Sequence, residues 1–188
     1  AVAADGHAVA VRVAPEPGAD TYPNKWYMEY AQGADLATHE CFLPPTLLVT
    51  KQGFSPIEAL QVGTQGHTAP EQFGKVMAMT NPRLAVGYHF YNDHDTLPVV
   101  LRDVRSTYDG PLSMATDMMV WNVRRDEIIE RMAVSSDDAW DVPGAEEGLE
   151  PDPTRKPEIT PEILAGRMDV TDVNARWLTE FKKEHGIE

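Results

Sequence analysis

The chain has 188 residues, a formal net charge of −14 and 42% hydrophobic residues, enough for one domain with a real core and a tail, but not for two full domains. Its one cysteine, Cys41, excludes an internal disulfide framework and any Cys-rich zinc module, so a bound metal would have to be held by histidines and carboxylates. No apolar run approaches the ~20 residues that span a bilayer, and the N-terminus lacks the basic start and apolar stretch of a signal peptide. A soluble chain with no membrane partner is therefore expected, its compartment left open between cytoplasm and periplasm.

Charge is unevenly spread. Residues 1–125 hold 9 Lys+Arg against 13 Asp+Glu, whereas residues 126–188 hold 7 against 17. No Lys/Arg cluster offsets this field, which would repel a polyanion such as RNA. A small-molecule substrate is favoured over nucleic acid.

In chain order, HAVAVRV (7–13) reads as a strand, and PNKWYMEYAQG (23–33) as a helix opened by Pro23 and closed by Gly33. ADLATH (34–39) is a second strand. The following stretch is broken by Pro44, Pro45, Gly53 and Pro56 and reads as a long loop or lid over 43–66, with a short helical piece around 56–61. HTAPEQFGKVMAMTNP opens a helix over 68–79, with Thr68 and Glu71 in capping-box spacing and Phe73, Val76 and Met77 on one face. RLAVGYHF (83–90) is a buried-type strand, residues 95–107 a helix capped by Asp95, and PLSMATDMMVWNV (111–123) one or two strands.

The composition then divides the chain into a globular part, 1–133, an acidic Pro-rich linker, 134–160, and a helical tail, 161–188, with Val173, Trp177, Leu178 and Phe181 on one face. Asp20, His39, Glu40, His67 and His89 fall at expected strand ends or helix starts, where active sites gather in α/β sheets. Each also has an ordinary structural reading: a helix cap for Asp20, backbone-satisfied buried histidines for His39 and His89, a loop residue for His67. No HxH, HxxxH or HExxH pair is present, so spacing alone supports a metal site only weakly.

Ala19-Asp20-Thr21, His39-Glu40-Cys41-Phe42, His67-Thr68-Ala69-Pro70-Glu71-Gln72, Tyr88-His89-Phe90 and Ala115-Thr116-Asp117-Met118 occur in this order. The series resembles the C-terminal half of the metallo-β-lactamase superfamily, in particular its ribonuclease Z and arylsulfatase-like branch, and within it a subgroup of guanitoxin-biosynthesis-type metallo-hydrolases. The resemblance implies a hydrolase of a phosphoester or sulfate ester, with Asp20 bridging two zinc ions and His89 on the second. Glu40 and His67 would form a proton relay, with His39 and Asp117 in support. Manganese or iron would tolerate the same ligands.

Two departures qualify what the resemblance implies. The family's H-x-H-x-D-H motif is absent, since His7 stands alone before Asp20, and HFYNDHDT after His89 lacks the Ser-x-Arg-Tyr continuation of ribonuclease Z. Two ligands cannot close a dinuclear site. The chain is thus expected to be the C-terminal portion of a longer enzyme, or a half-domain acting in binding or assembly. The expected fold is α/β, half of a metallo-β-lactamase αβ/βα sandwich with a mixed sheet and an acidic Pro-rich C-terminal extension. Val11, Val13, Leu84, Val86 and Met118 would then expose an apolar patch, favouring a homo-oligomer or a missing N-terminal half as partner.

Overall fold

The computed structural model describes residues 11–13, 24–133 and 161–187. Asp20 and the stretch expected as a linker lie outside the described residues. Val11–Val13 (β1), Leu36–Glu40 (β2), Leu84–Tyr88 (β3) and Leu112–Met114 (β4) form one sheet in that order, with every neighbouring pair parallel. The fold is α/β, but this sheet is not mixed: helical crossovers return the chain to the same end between β2, β3 and β4, which makes those strands parallel. The antiparallel pairing is confined to a separate hairpin, Met119–Val123 (β5) with Ile128–Met132 (β6). The hairpin is fastened to β4 through Ser113, whose Oγ accepts from Trp121 Nε1 at 3.2 Å and donates to Glu130.

Lys25–Tyr30 (α1) starts at Asn24, whose side chain accepts the Trp26 amide at 2.8 Å. The expected lid is instead two helices, Pro45–Gln52 (α2) and Pro56–Gln61 (α3). Of the prolines that read as breakers, Pro45 and Pro56 sit at the first helical positions, where a fixed φ is pre-organised and no amide is missed, and Pro44 is the N-cap of α2. Gly53, at φ 70, ends α2 in the left-handed conformation that favours glycine. Leu47, Leu48, Ala59 and Leu60 carry both helices into the core.

A wide turn, Val62–Gly66, leads to Pro70–Thr80 (α4). Its cap is one residue later than expected. Pro70 occupies the first helical position, which puts the N-cap at Ala69 and the third helical residue at Gln72, not Glu71. Gln72 Oε1 accepts the Ala69 amide at 2.9 Å, and alanine has no side-chain acceptor with which to return the bond. Leu97–Arg105 (α5) departs from expectation in a similar way: Asp93, rather than Asp95, accepts the Thr96 amide at 2.7 Å.

Small residues on the helix-facing side of the sheet, Ala37 and Ala85, join a core that includes Met28, Phe73, Val76, Met77, Val100 and Val104. Full burial of each large side chain contributes about 1.5–3 kcal/mol. Helices α4 and α5 approach closely at Gly74, where a Cβ would lie 2.1 Å from Thr107 Oγ1 and 2.7 Å from the Val104 carbonyl.

Pro161–Gly166 (α6), Thr171–Arg176 (α7), a wide turn over Trp177–Phe181 and Lys182–His185 (α8) complete the described chain. Trp177 and Phe181 are buried in the main core as expected, but Leu178 lies a step round the helix and is exposed. The expected apolar patch also needs correction. Val86 is buried and Leu84 half-buried, with the β5–β6 hairpin anchored at Ser113, the register neighbour of Val86. Met118 is exposed, and the side chains of Val11 and Val13 are outside the described set.

Candidate metal-binding site

Strands β2 and β3 end side by side, with Glu40 in register with Tyr88. Glu40 is the last residue of β2 and is 3% exposed. His89 follows β3 directly and takes φ 69, the left-handed region that non-glycine residues seldom adopt. That turn brings its ring back toward Glu40. His67 stands before α4 in extended backbone, its amide donating to Val62 O at 2.9 Å. The segment is tied to the end of β2 by the Phe42 amide, which donates to Thr68 O at 2.8 Å. Three separate segments therefore converge at the C-terminal edge of the parallel sheet, the usual location of ligand sites in such sheets.

Glu40 organises the group. Its Oε1 accepts from His89 Nδ1 at 2.8 Å and also from His67 Nδ1, while Oε2 accepts the Thr68 amide at 3.2 Å. An ionised carboxylate can only accept, and with Glu40 in that form each facing Nδ1 carries the hydrogen and each Nε2 is left open to a ligand. The two rings stand nearly perpendicular, 77° apart with centroids at 5.2 Å, and Phe42 stacks on His67 at 4.0 Å. One donor atom from each of Glu40, His67 and His89 lies within 4.8 Å of the other two.

The remaining sequence candidates divide. His39 is buried on the helix-facing side, its ring edge-on to Tyr27 at 5.0 Å, its Nδ1 2.9 Å from the Glu40 carbonyl. It is a core histidine that does not join the cluster. Asp117 lines an open cleft of about 740 Å³ beside His89, together with Tyr88, Phe90, Tyr91 and Trp121. Asp20 lies outside the described residues. Burial pushes the Cys41 thiol up, with the Glu40 charge adding to it, so next to Glu40 in sequence stands a protonated, apolar side chain. Burial also raises the Tyr27 hydroxyl, which donates to Thr38 O at 3.0 Å.

Two contributors carry little signal in the sequence. The position of Phe42 two residues past Glu40 does not reveal that it stacks on an imidazole 25 residues away. Gln72 is fully buried and holds the turn before α4 through Thr64 O and the Ala69 amide. Its signal was available: Pro70 fixes the helix register and therefore makes position 72 the residue that reaches back.

No family model matches the chain, and no curated protein matches it. Among solved structures, one that it resembles is the metallo-beta-lactamase fold protein YhfI from Bacillus subtilis. The two share 15% identity with a TM-score of 0.34 over 51% of this chain and 34% of that one. The chain thus aligns with about a third of the length of that protein. Among the described residues, no helix is long and apolar enough to cross a membrane.

Proposed function

We propose that the chain carries part of the site of a metal-dependent hydrolase acting on a small ester, of phosphate or sulfate type as the sequence resemblance implies. The observation that supports this reading is the shared carboxylate: Glu40 Oε1 accepts from both His67 and His89. A carboxylate behind a histidine fixes the tautomer and raises the basicity of the nitrogen that faces a metal. An imidazole ligand backed by a carboxylate fits zinc, or manganese or iron, better than calcium or magnesium, which prefer all-oxygen sites.

In this reading His89 would hold the ion, and His67, with Nδ1–H held by Glu40, would take up a proton at Nε2 from the attacking water and pass it to the leaving oxygen. A bound divalent ion would supply Lewis acidity and a water of lowered pKa. Further ligands come from outside the described residues, with Asp20 the first candidate, and a second copy or another chain completes the set. The substrate occupies the cleft beside His89, whose size suits a small molecule. No lysine or arginine is among its described lining residues. The cleft therefore contributes shape and apolar surface rather than anion binding.

Calorimetric titration with zinc tests the reading directly. Saturable binding that His89→Ala abolishes is expected, with His67→Gln keeping the ion but losing hydrolysis of an aryl phosphate or aryl sulfate. No binding by the chain, alone or with a supplied partner half, would leave the alternative of a non-catalytic assembly module.

A further inference from the structure

Helix α4 begins three residues after His67, and its early side chains face the C-terminal segment rather than solvent. Gln72 is fully buried and makes three hydrogen bonds. Its Oε1 accepts the Ala69 amide at 2.9 Å; its Nε2 donates to Thr64 O at 3.1 Å and to Asn174 Oδ1 at 2.8 Å. Thr64 and Ala69 bracket His67 on either side. One amide group thus clamps the two ends of the turn that presents the imidazole, and the third bond fixes the orientation of that amide.

The residue that makes the third bond comes from far away in the chain. Asn174, on α7, is 102 positions from Gln72 and is itself buried. Its helix is pinned to the same turn of α4 by Arg176 Nη2 against Glu71 Oε1 at 2.5 Å, and by Asp172 against Lys75. A buried amide whose donor has one partner removed can rotate or exchange its ends. Either change withdraws the acceptor from Ala69 or the donor from Thr64.

We infer that Asn174 is a positioning residue for His67, acting through Gln72, so that the C-terminal segment belongs to the framework of the site. This rests on the reading of His67 as the proton-delivering group, but the positioning itself is a property of the metal-free chain. With Asn174 in place, Gln72 holds Thr64 and Ala69, and His67 keeps Nδ1 on Glu40 and Nε2 free. Without it, the ring samples other orientations and the tautomer is no longer fixed.

The test compares Asn174→Leu, which removes the acceptor at similar volume, with Asn174→Asp, which keeps an acceptor for Gln72. Nitrogen-15 NMR of the metal-free full chain reads the His67 tautomer, and thermal melting reads packing. In Asn174→Leu the His67 Nδ1–H signal is expected to broaden or shift toward a tautomer mixture, while Asn174→Asp keeps the wild-type pattern. If the Leu variant does not fold, Asn174→Ala takes its place with the same expectation. In the metal-loaded protein Asn174→Leu should lower kcat by roughly 10- to 100-fold with zinc affinity unchanged, while Asn174→Asp stays near wild type. An unaltered His67 spectrum in the Leu or Ala variant overturns the inference, as does an equal perturbation by Leu and Asp. A chain that neither binds zinc nor hydrolyses ester removes the proposed function, and the metal-free spectra still decide the role of Asn174.

Discussion

His89 and Glu40 are 49 residues apart in sequence and meet at 2.8 Å, Nδ1 to Oε1, across the ends of two adjacent parallel strands. Because the same oxygen also pairs with His67, one buried carboxylate oxygen orients both rings.

Replacing that carboxylate gives the most direct expectation. Glu40→Gln keeps the shape, but its amide presents a donor where the carboxylate presented only acceptors, leaving Thr68 or an imidazole without an acceptor. Zinc affinity should fall by about 10- to 100-fold, as measured by calorimetry against the wild type. Unchanged affinity would show that the rings are oriented by other contacts.

Helix packing supplies a second. Gly74→Ala places a methyl group against a backbone carbonyl of α5, which cannot rotate away as a side chain could. Overpacking of this kind costs typically about 1–3 kcal/mol, and the melting temperature should drop accordingly. Thr107→Ala in the same background should recover only part of the loss, since the Val104 carbonyl remains in place.

Glu71 predicts a pH dependence. Burial raises its carboxyl above the ordinary 4.5, the nearby Asp103 adds to this, and Arg176 opposes both. The folded state therefore holds the proton more tightly than the unfolded state. Its contribution is fully present below the unfolded pKa and is lost as pH rises through the raised folded value. Wild-type stability relative to Glu71→Gln should decline on going from about pH 4 upward and level off once Glu71 is ionised in both states. Denaturant melts of the two proteins at several pH values check the sign. A wild-type advantage that grows with pH would mean that Arg176 outweighs burial.

Cys41 should be silent in the native protein. Its side chain is fully buried and its thiol is pushed up by desolvation, so too little thiolate forms for attack. A disulfide reagent at pH 8 should label it only at the rate of unfolding. Rapid labelling would show that the end of β2 opens without global unfolding.

The sequence made much of this architecture readable, for identifiable reasons. Strands β2 and β3 are short apolar runs between turn signals, and the residues at their ends, Glu40 and His89, stand where a sheet edge would put them. The misreadings share a cause. Pro44, Pro45 and Pro56 read as breakers, although Pro45 and Pro56 stand in the first turn, where a proline starts a helix, with Pro44 capping α2, and the Thr68 and Glu71 spacing masks the register that Pro70 imposes. Contacts that depend on distant segments had no local signal at all. Nothing near Gln72 indicates Asn174, and nothing near Ser113 indicates Trp121 or Glu130. Charge likewise marked the C-terminal part as acidic without showing that Asp172 would meet a lysine on α4 or that Arg176 would reach Glu71.

The left-handed backbone at His89 has a consequence for transplantation. An imidazole leaving a parallel strand in ordinary extended geometry points up or down from the sheet, not sideways across it to a carboxylate on the next strand. Reaching Glu40 requires the chain to reverse its local hand at a residue that carries a full side chain. Anyone grafting this trio onto another parallel sheet would have to copy the bend at position 89 along with the three side chains. A glycine there would relax the bend while discarding the ring it exists to present.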